Sequence, residues 1–112
     1  SNYFVTLMYM AEKTYGLLGL NDQEARHAYW PLLLGTLQNI EKKGSVSSLT
    51  GPIARGDLGT LEKHLNAITA NIPELLPAYR ELGKITADVA LEKNSISSQE
   101  SSNIKSLLLK GA

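Results

Sequence analysis

The sequence has 112 residues, 43% of them hydrophobic and 20% charged, which suits one globular domain with a single core and excludes a disordered chain. Eleven basic side chains balance eleven acidic ones, so neither nucleic acid nor an anionic membrane is expected as a partner, and the zero net charge offers little resistance to self-association. The absence of cysteine removes disulfides, thiolate metal sites and cysteine nucleophiles, and fits a reducing, cytoplasmic setting.

In chain order, Phe4, Leu7, Met8, Ala11, Tyr15 and Leu18 recur at helical spacing, with Asn2 as the expected cap and Gly19 as the stop. Tyr3, Met10 and Leu17 lie off that stripe, so this helix is expected to be covered on more than one side. Glu12 and Lys13 interrupt the apolar run, which predicts neither a signal peptide nor a membrane span. The opening at Ser1-Asn2 without an initiator methionine points to a fragment or a processed chain.

Asn21 or Asp22 caps the next segment, which runs to Pro31, where the missing N–H predicts a kink or restart after Trp30. A continuation with Leu33, Leu37 and Ile40 on one face ends at Lys42, Lys43 and Gly44, cations and a glycine suited to a helix C-terminus. Asp57 caps a helix with Leu58, Leu61, Leu65 and Ile68 inward. A further helix begins near Pro77 and carries Tyr79, Leu82, Thr86 and Val89 to about Lys93. Ser97 and Glu100 have capping-box spacing for a last helix ending at Gly111. No alternating pattern and no long repeat is present, so the fold class is all-α, a bundle of five to six helices over residues 1–112.

The run LTGPIARGDLGTLEKHL, Leu49 to Leu65, is unusually rich in special residues for a connection between helices. Gly51, Gly56 and Gly59 permit close backbone approach by a ligand or another chain, and Arg55 offers a planar fork suited to carboxylate or phosphate. Asp57, Thr60 and His64 step by three and four and share one helical face. The simplest alternative is a well-capped connection with no ligand. Gly51 and Gly56 have the spacing of a phosphate loop, but Asp57-Leu58 stands where lysine and a hydroxyl residue are required. Arg55-Gly56-Asp57 spells an adhesion tripeptide, a match too short to carry weight. His27 and His64 lie on different helices without acidic partners at ligand spacing, so no metal site is expected, and no Ser-His-Asp arrangement is asserted.

The segments SNYFVTL, YWPLLLGTLQNI, LTGPIARGDLGTLEKHL and AYRELG resemble the DUF2520 domain, which follows a Rossmann-like NADP-binding domain in oxidoreductase-like bacterial proteins. The resemblance reaches from Ser1 to about Lys93 and is most specific in the TGP-x-x-RGD-x-x-T-x-x-x-H run. It implies a helical domain akin to those of 6-phosphogluconate dehydrogenase, ketopantoate reductase and pyrroline-carboxylate reductase, which closes one wall of a substrate cleft and supplies homodimer contacts. Tyr3, Leu7, Met10 or Leu17 would then lie in that contact.

On the same resemblance, Thr50, Gly51, Pro52 and Gly56 would shape the cleft wall and Arg55 would pair with a small anionic substrate or a cofactor group. Asp57 would start the helix, and Thr60 and His64 would face the reacting centre, His64 as acid or base. The chain has no strand followed by GxGxxG, so it should hold no cofactor itself; NADP or NAD belongs to the missing N-terminal Rossmann domain. It departs from several of those relatives in lacking the KxxxN helix motif, since Lys13 is followed by Leu17, and a proton-donor role for Lys13 does not carry over. The function expected is a C-terminal dimerisation and substrate-cleft domain of an NAD(P)-dependent oxidoreductase, inactive alone. The alternative is a helical protein-interaction module without redox chemistry.

Overall fold

In a computed structural model, which describes residues 1–110, every regular element is helical. Helix α1 spans Asn2–Gly16, α2 Asp22–Ser48, α3 Leu58–Asn71, α4 Leu76–Glu92 and α5 Ser98–Lys110, with a short 3₁₀ turn at Pro73–Leu75 ahead of α4. Gly111, expected to end the last helix, lies outside the described residues. No described helix is long and apolar enough to cross a membrane. The chain forms two compact units, one covering Ser1–Lys42 and the other beginning at Lys43.

The first unit joins α1 to most of α2. Ser1 rather than Asn2 is the N-cap of α1, and no side chain caps that end. A full capping box opens α2: the Asn21 Oδ1 accepts from the Glu24 N–H at 2.9 Å, and the Glu24 carboxylate accepts from the Asn21 N–H at 2.9 Å. The helices touch through the Tyr15 and Tyr29 rings, stacked 5.6 Å apart, and through Arg26 and Glu12 at 3.2 Å. Burial raises the Tyr29 phenol above its usual range, with the nearby Glu12 adding to the shift, and its hydroxyl has no hydrogen-bond partner.

The helix does not restart at Pro31. The proline lies inside α2, and the non-helical residue is Gly44, with φ 83 and ψ 171. A proline in a helix removes one backbone donor but leaves φ helical, so neighbouring turns can carry the helix past it. Gly44 takes a positive φ that side chains resist, and the helical geometry is interrupted there.

The second unit is built on a core of Leu61, Leu65, Leu76, Ala87, Ala90, Ile96, Ile104 and Leu108, with Leu49, Ile53, Ile68, Tyr79 and Leu107 packed against it. Ile104 and Leu108 of α5 are fully buried, so the last helix closes this core. Helix α3 buries Leu61 and Leu65 as expected, whereas the inner face of α4 is rotated from that expected. Leu58 and Leu82 are exposed, and α4 turns Leu76, Gly83, Ala87 and Ala90 inward instead. Small residues win there because α5 comes close: a β-carbon on Gly83 would meet the Leu108 Cδ1 at 2.8 Å. Larger residues at that contact would hold the helices apart and leave space around Leu108. The Ser97–Glu100 capping box opens α5 as expected, with bonds of 2.8 and 3.1 Å.

Candidate functional site

The Leu49–Leu65 stretch folds as a stop joined directly to a start. After Gly51, at φ 102, the chain makes one helical turn from Pro52 to Arg55. The Gly56 N–H bonds to the Ile53 carbonyl at 3.1 Å and the Asp57 N–H to the Pro52 carbonyl at 2.9 Å. With φ 66 at Gly56, this is the paired-bond ending of a helix in which a glycine takes the left-handed position. The very next residue, Asp57, is the N-cap of α3. No residue separates the two, so the turn's geometry sets where α3 begins.

Asp57 makes two bonds to one residue. Its Oδ1 accepts from the Thr60 N–H at 3.1 Å and its Oδ2 from the Thr60 hydroxyl at 2.7 Å. The Thr60 hydroxyl bond, then the Thr60 backbone bond, hold the Asp57 carboxyl below its usual range against a small opposing effect of burial, and Arg55 adds to the lowering. Arg55 Nη2 stands 3.5 Å from the Asp57 Oδ2, with the arginine side chain 61% exposed. Exposed pairs of this kind hold an arginine weakly, so its fork can turn to another anion.

Arg55, Asp57 and Thr60 therefore form one cluster, framed by Gly51, Pro52 and Gly56, with Thr50 exposed ahead of them. Thr60 uses its hydroxyl on the cap. His64, one turn further along α3, has a different partner: its Nδ1 lies 3.0 Å from the Tyr79 hydroxyl on α4, with the rings edge to face at 6.1 Å. Burial raises the Tyr79 phenol above its usual range.

Three neighbours of this region are not marked as such by the sequence. Tyr79 reads there only as a member of a core stripe. Glu100 reads as the partner of Ser97, yet its carboxylate also lies against Gly56, where an added β-carbon would meet Oε2 at 2.6 Å. Lys93 donates from Nζ to the Leu49 carbonyl at 2.7 Å and pins the start of the loop across 44 residues of sequence, a contact with no local signal. In the other unit, an open depression on one face of α2 is lined by Gln23, Arg26, His27, Trp30 and Pro31. Among the described residues no cluster of three or more histidine or acidic side chains could hold a metal ion.

These features define a helical domain that presents a rigid, polar, glycine-framed helix start, with the Arg55 fork at its edge. The chain belongs to the family described as Domain of unknown function (DUF2520), whose model matches residues 1–86. That match includes the whole loop and α3 and ends inside α4, so the Glu100 contact on Gly56 comes from outside it. No curated protein and no solved structure matches the chain.

Proposed function

We propose that this chain is the C-terminal dimerisation and substrate-cleft domain of an NAD(P)-dependent oxidoreductase of the cytoplasm, inactive alone and preceded in its parent by a Rossmann domain that carries the NADP or NAD. The observation that carries the reading is the uncovered apolar surface of the first unit. Helix α1 has no buried residue, although Tyr3 (80% exposed), Phe4 (65%), Val5 and Leu7 line its first two turns. Trp30, Leu32, Leu34, Leu37 and Ile40 of α2 are exposed as well. So many large exposed apolar side chains on a short chain support an associating surface, and a zero net charge offers little resistance to a second copy.

The polar half of the reading rests on the loop. Arg55 is free enough to take a carboxylate or phosphate of a small substrate, and Gly51, Pro52, Gly56 and Asp57 hold the backbone around it. Thr60 secures the start of α3, and His64 contributes an imidazole on the following turn. The family match covers the Thr50–His64 run with the rest of residues 1–86, and the cleft reading itself comes from the resemblance of the run to that domain.

Two measurements test the proposal. Sedimentation velocity of the 112-residue chain should give a dimer, and a Phe4→Glu/Leu7→Glu variant should shift it to a monomer with unchanged helical circular dichroism. Calorimetry should find NADPH or NADH binding to the parent protein and none to this chain. A chain that stays monomeric at high concentration, with a parent that binds neither nucleotide, overturns the reading in favour of an interaction module for a different protein.

A further inference from the structure

The geometry points to Tyr79 as a positioning residue that fixes the tautomer of His64, so that the neutral imidazole presents its Nε2–H as a hydrogen-bond donor to a carbonyl or carboxylate oxygen. The inference rests on the cleft reading of His64 and adds a direction to it.

The two side chains meet at one ring nitrogen, Nδ1, 3.0 Å from the phenol oxygen. One of the two groups must donate. A phenol is a stronger acid than the N–H of a neutral imidazole, and an imidazole nitrogen is a far better acceptor than a phenol oxygen. The O–H therefore donates to Nδ1. Burial of the Tyr79 ring favours its neutral form and keeps that proton on the phenol at neutral pH. With Nδ1 occupied as an acceptor, the ring proton of neutral His64 resides on Nε2.

Tyr79 is well placed to do this. Its ring packs against the core of the second unit, whereas His64 itself is exposed. The anchored ring carries its hydroxyl to the imidazole, and the edge-on ring arrangement at 79° fits a bond in the imidazole plane. The bond links α3 to α4 and orients the exposed ring. The nitrogen left for a ligand is Nε2, and in this tautomer it gives a hydrogen bond and accepts none. A ligand meeting it must supply an oxygen lone pair, as a carbonyl or carboxylate does. In a reduction, such a donor stabilises charge building on a carbonyl oxygen without a prior proton transfer.

The test is nitrogen-15 NMR of the imidazoles in the whole chain, about two pH units above the ordinary histidine value of ~6.5. His27, exposed on α2, serves as the reference. In the wild type the two His64 nitrogens should be widely separated, Nε2 at the protonated position and Nδ1 at the bare, hydrogen-bonded one. In Tyr79→Phe, which keeps the packed ring, the two signals should draw together as both tautomers become populated. A wild-type spectrum with the proton on Nδ1 overturns the inference without any variant. So does a Tyr79→Phe spectrum that matches the wild type. Because the readout needs neither cofactor nor activity, the tautomer can fail while dimerisation and nucleotide binding stand, and the reverse.

Discussion

Gly56 and Glu100 are in contact such that a β-carbon at position 56 would lie 2.6 Å from the glutamate Oε2. The loop that carries Arg55 thus rests on the first turn of α5, against a carboxylate already tied to the Ser97 N–H. The positive φ of 66 strains any side chain here, and one placed there must also displace the end of the Glu100 side chain from its bond to the Ser97 N–H.

Gly56→Ala should therefore destabilise the chain by about 1–3 kcal/mol, the range for a side chain forced into the left-handed region next to a close contact. The same substitution in a Glu100→Ala background should cost less, because only the backbone part remains. Denaturant melts of the four proteins measure that coupling. Strict additivity would show that the Glu100 contact has no energetic weight.

Gly83→Ala tests the approach of α4 and α5. Helix propensity alone favours alanine by roughly 0.5–1 kcal/mol. The new methyl would meet the Leu108 Cδ1 at 2.8 Å in a fully buried setting. The expected net result is a loss of about 1–2 kcal/mol, whereas Leu108→Ala should cost about 2–5 kcal/mol through the cavity it leaves. A Gly83→Ala protein more stable than wild type would show that Leu108 moves aside freely.

The Asp57 cap predicts a pH dependence with a definite sign. Its carboxyl is held below the ordinary value of 3.8, chiefly by the Thr60 hydroxyl, so the folded chain binds fewer protons there than the unfolded chain. The stabilisation is present above pH 3.8 and is lost as pH falls from there through the lower folded value. Asp57→Ala should reduce Tm at neutral pH by roughly 4–8 °C, with the gap to wild type narrowing across that acid window. Asp57→Asn keeps a capping oxygen, so it should melt close to wild type at neutral pH and lack that part of the acid dependence. Parallel melting curves for wild type and Asp57→Asn at every pH would count against it.

Arg55 should matter to binding and hardly at all to folding. Its side chain is 61% exposed, and the Asp57 side chain it pairs with is 36% exposed. Arg55→Ala should change stability by no more than about 0.5 kcal/mol. In the parent protein it should weaken an anionic ligand by roughly tenfold to a hundredfold, the usual effect of losing a charged hydrogen-bonding partner. Arg55→Lys should recover only part of that, since lysine lacks the planar fork. A large fall in Tm on Arg55→Ala would move Arg55 from binding to structure.

Local chemistry makes much of this protein legible in its sequence. Apolar residues at helical spacing announce the helices. Asp57 and the Ser97–Glu100 pair announce two of their starts, and Gly44 the break inside α2. Each of these signals acts within about a turn of chain, where a side chain meets its own backbone, so residue type and spacing are enough. Family membership is likewise legible in the sequence, over residues 1–86. Tertiary structure decides the rest. Leu82 and Gly83 compete for the inner face of α4, and glycine occupies it because α5 packs there through Leu108. Pro31 stays inside a helix that its own preferences would interrupt. His64 shares a helical face with Asp57 and Thr60 but bonds to Tyr79, 15 residues away in sequence. Spacing determines which side chains lie on one face of a helix; what that face meets depends on the helix packed against it, and no residue carries that information alone.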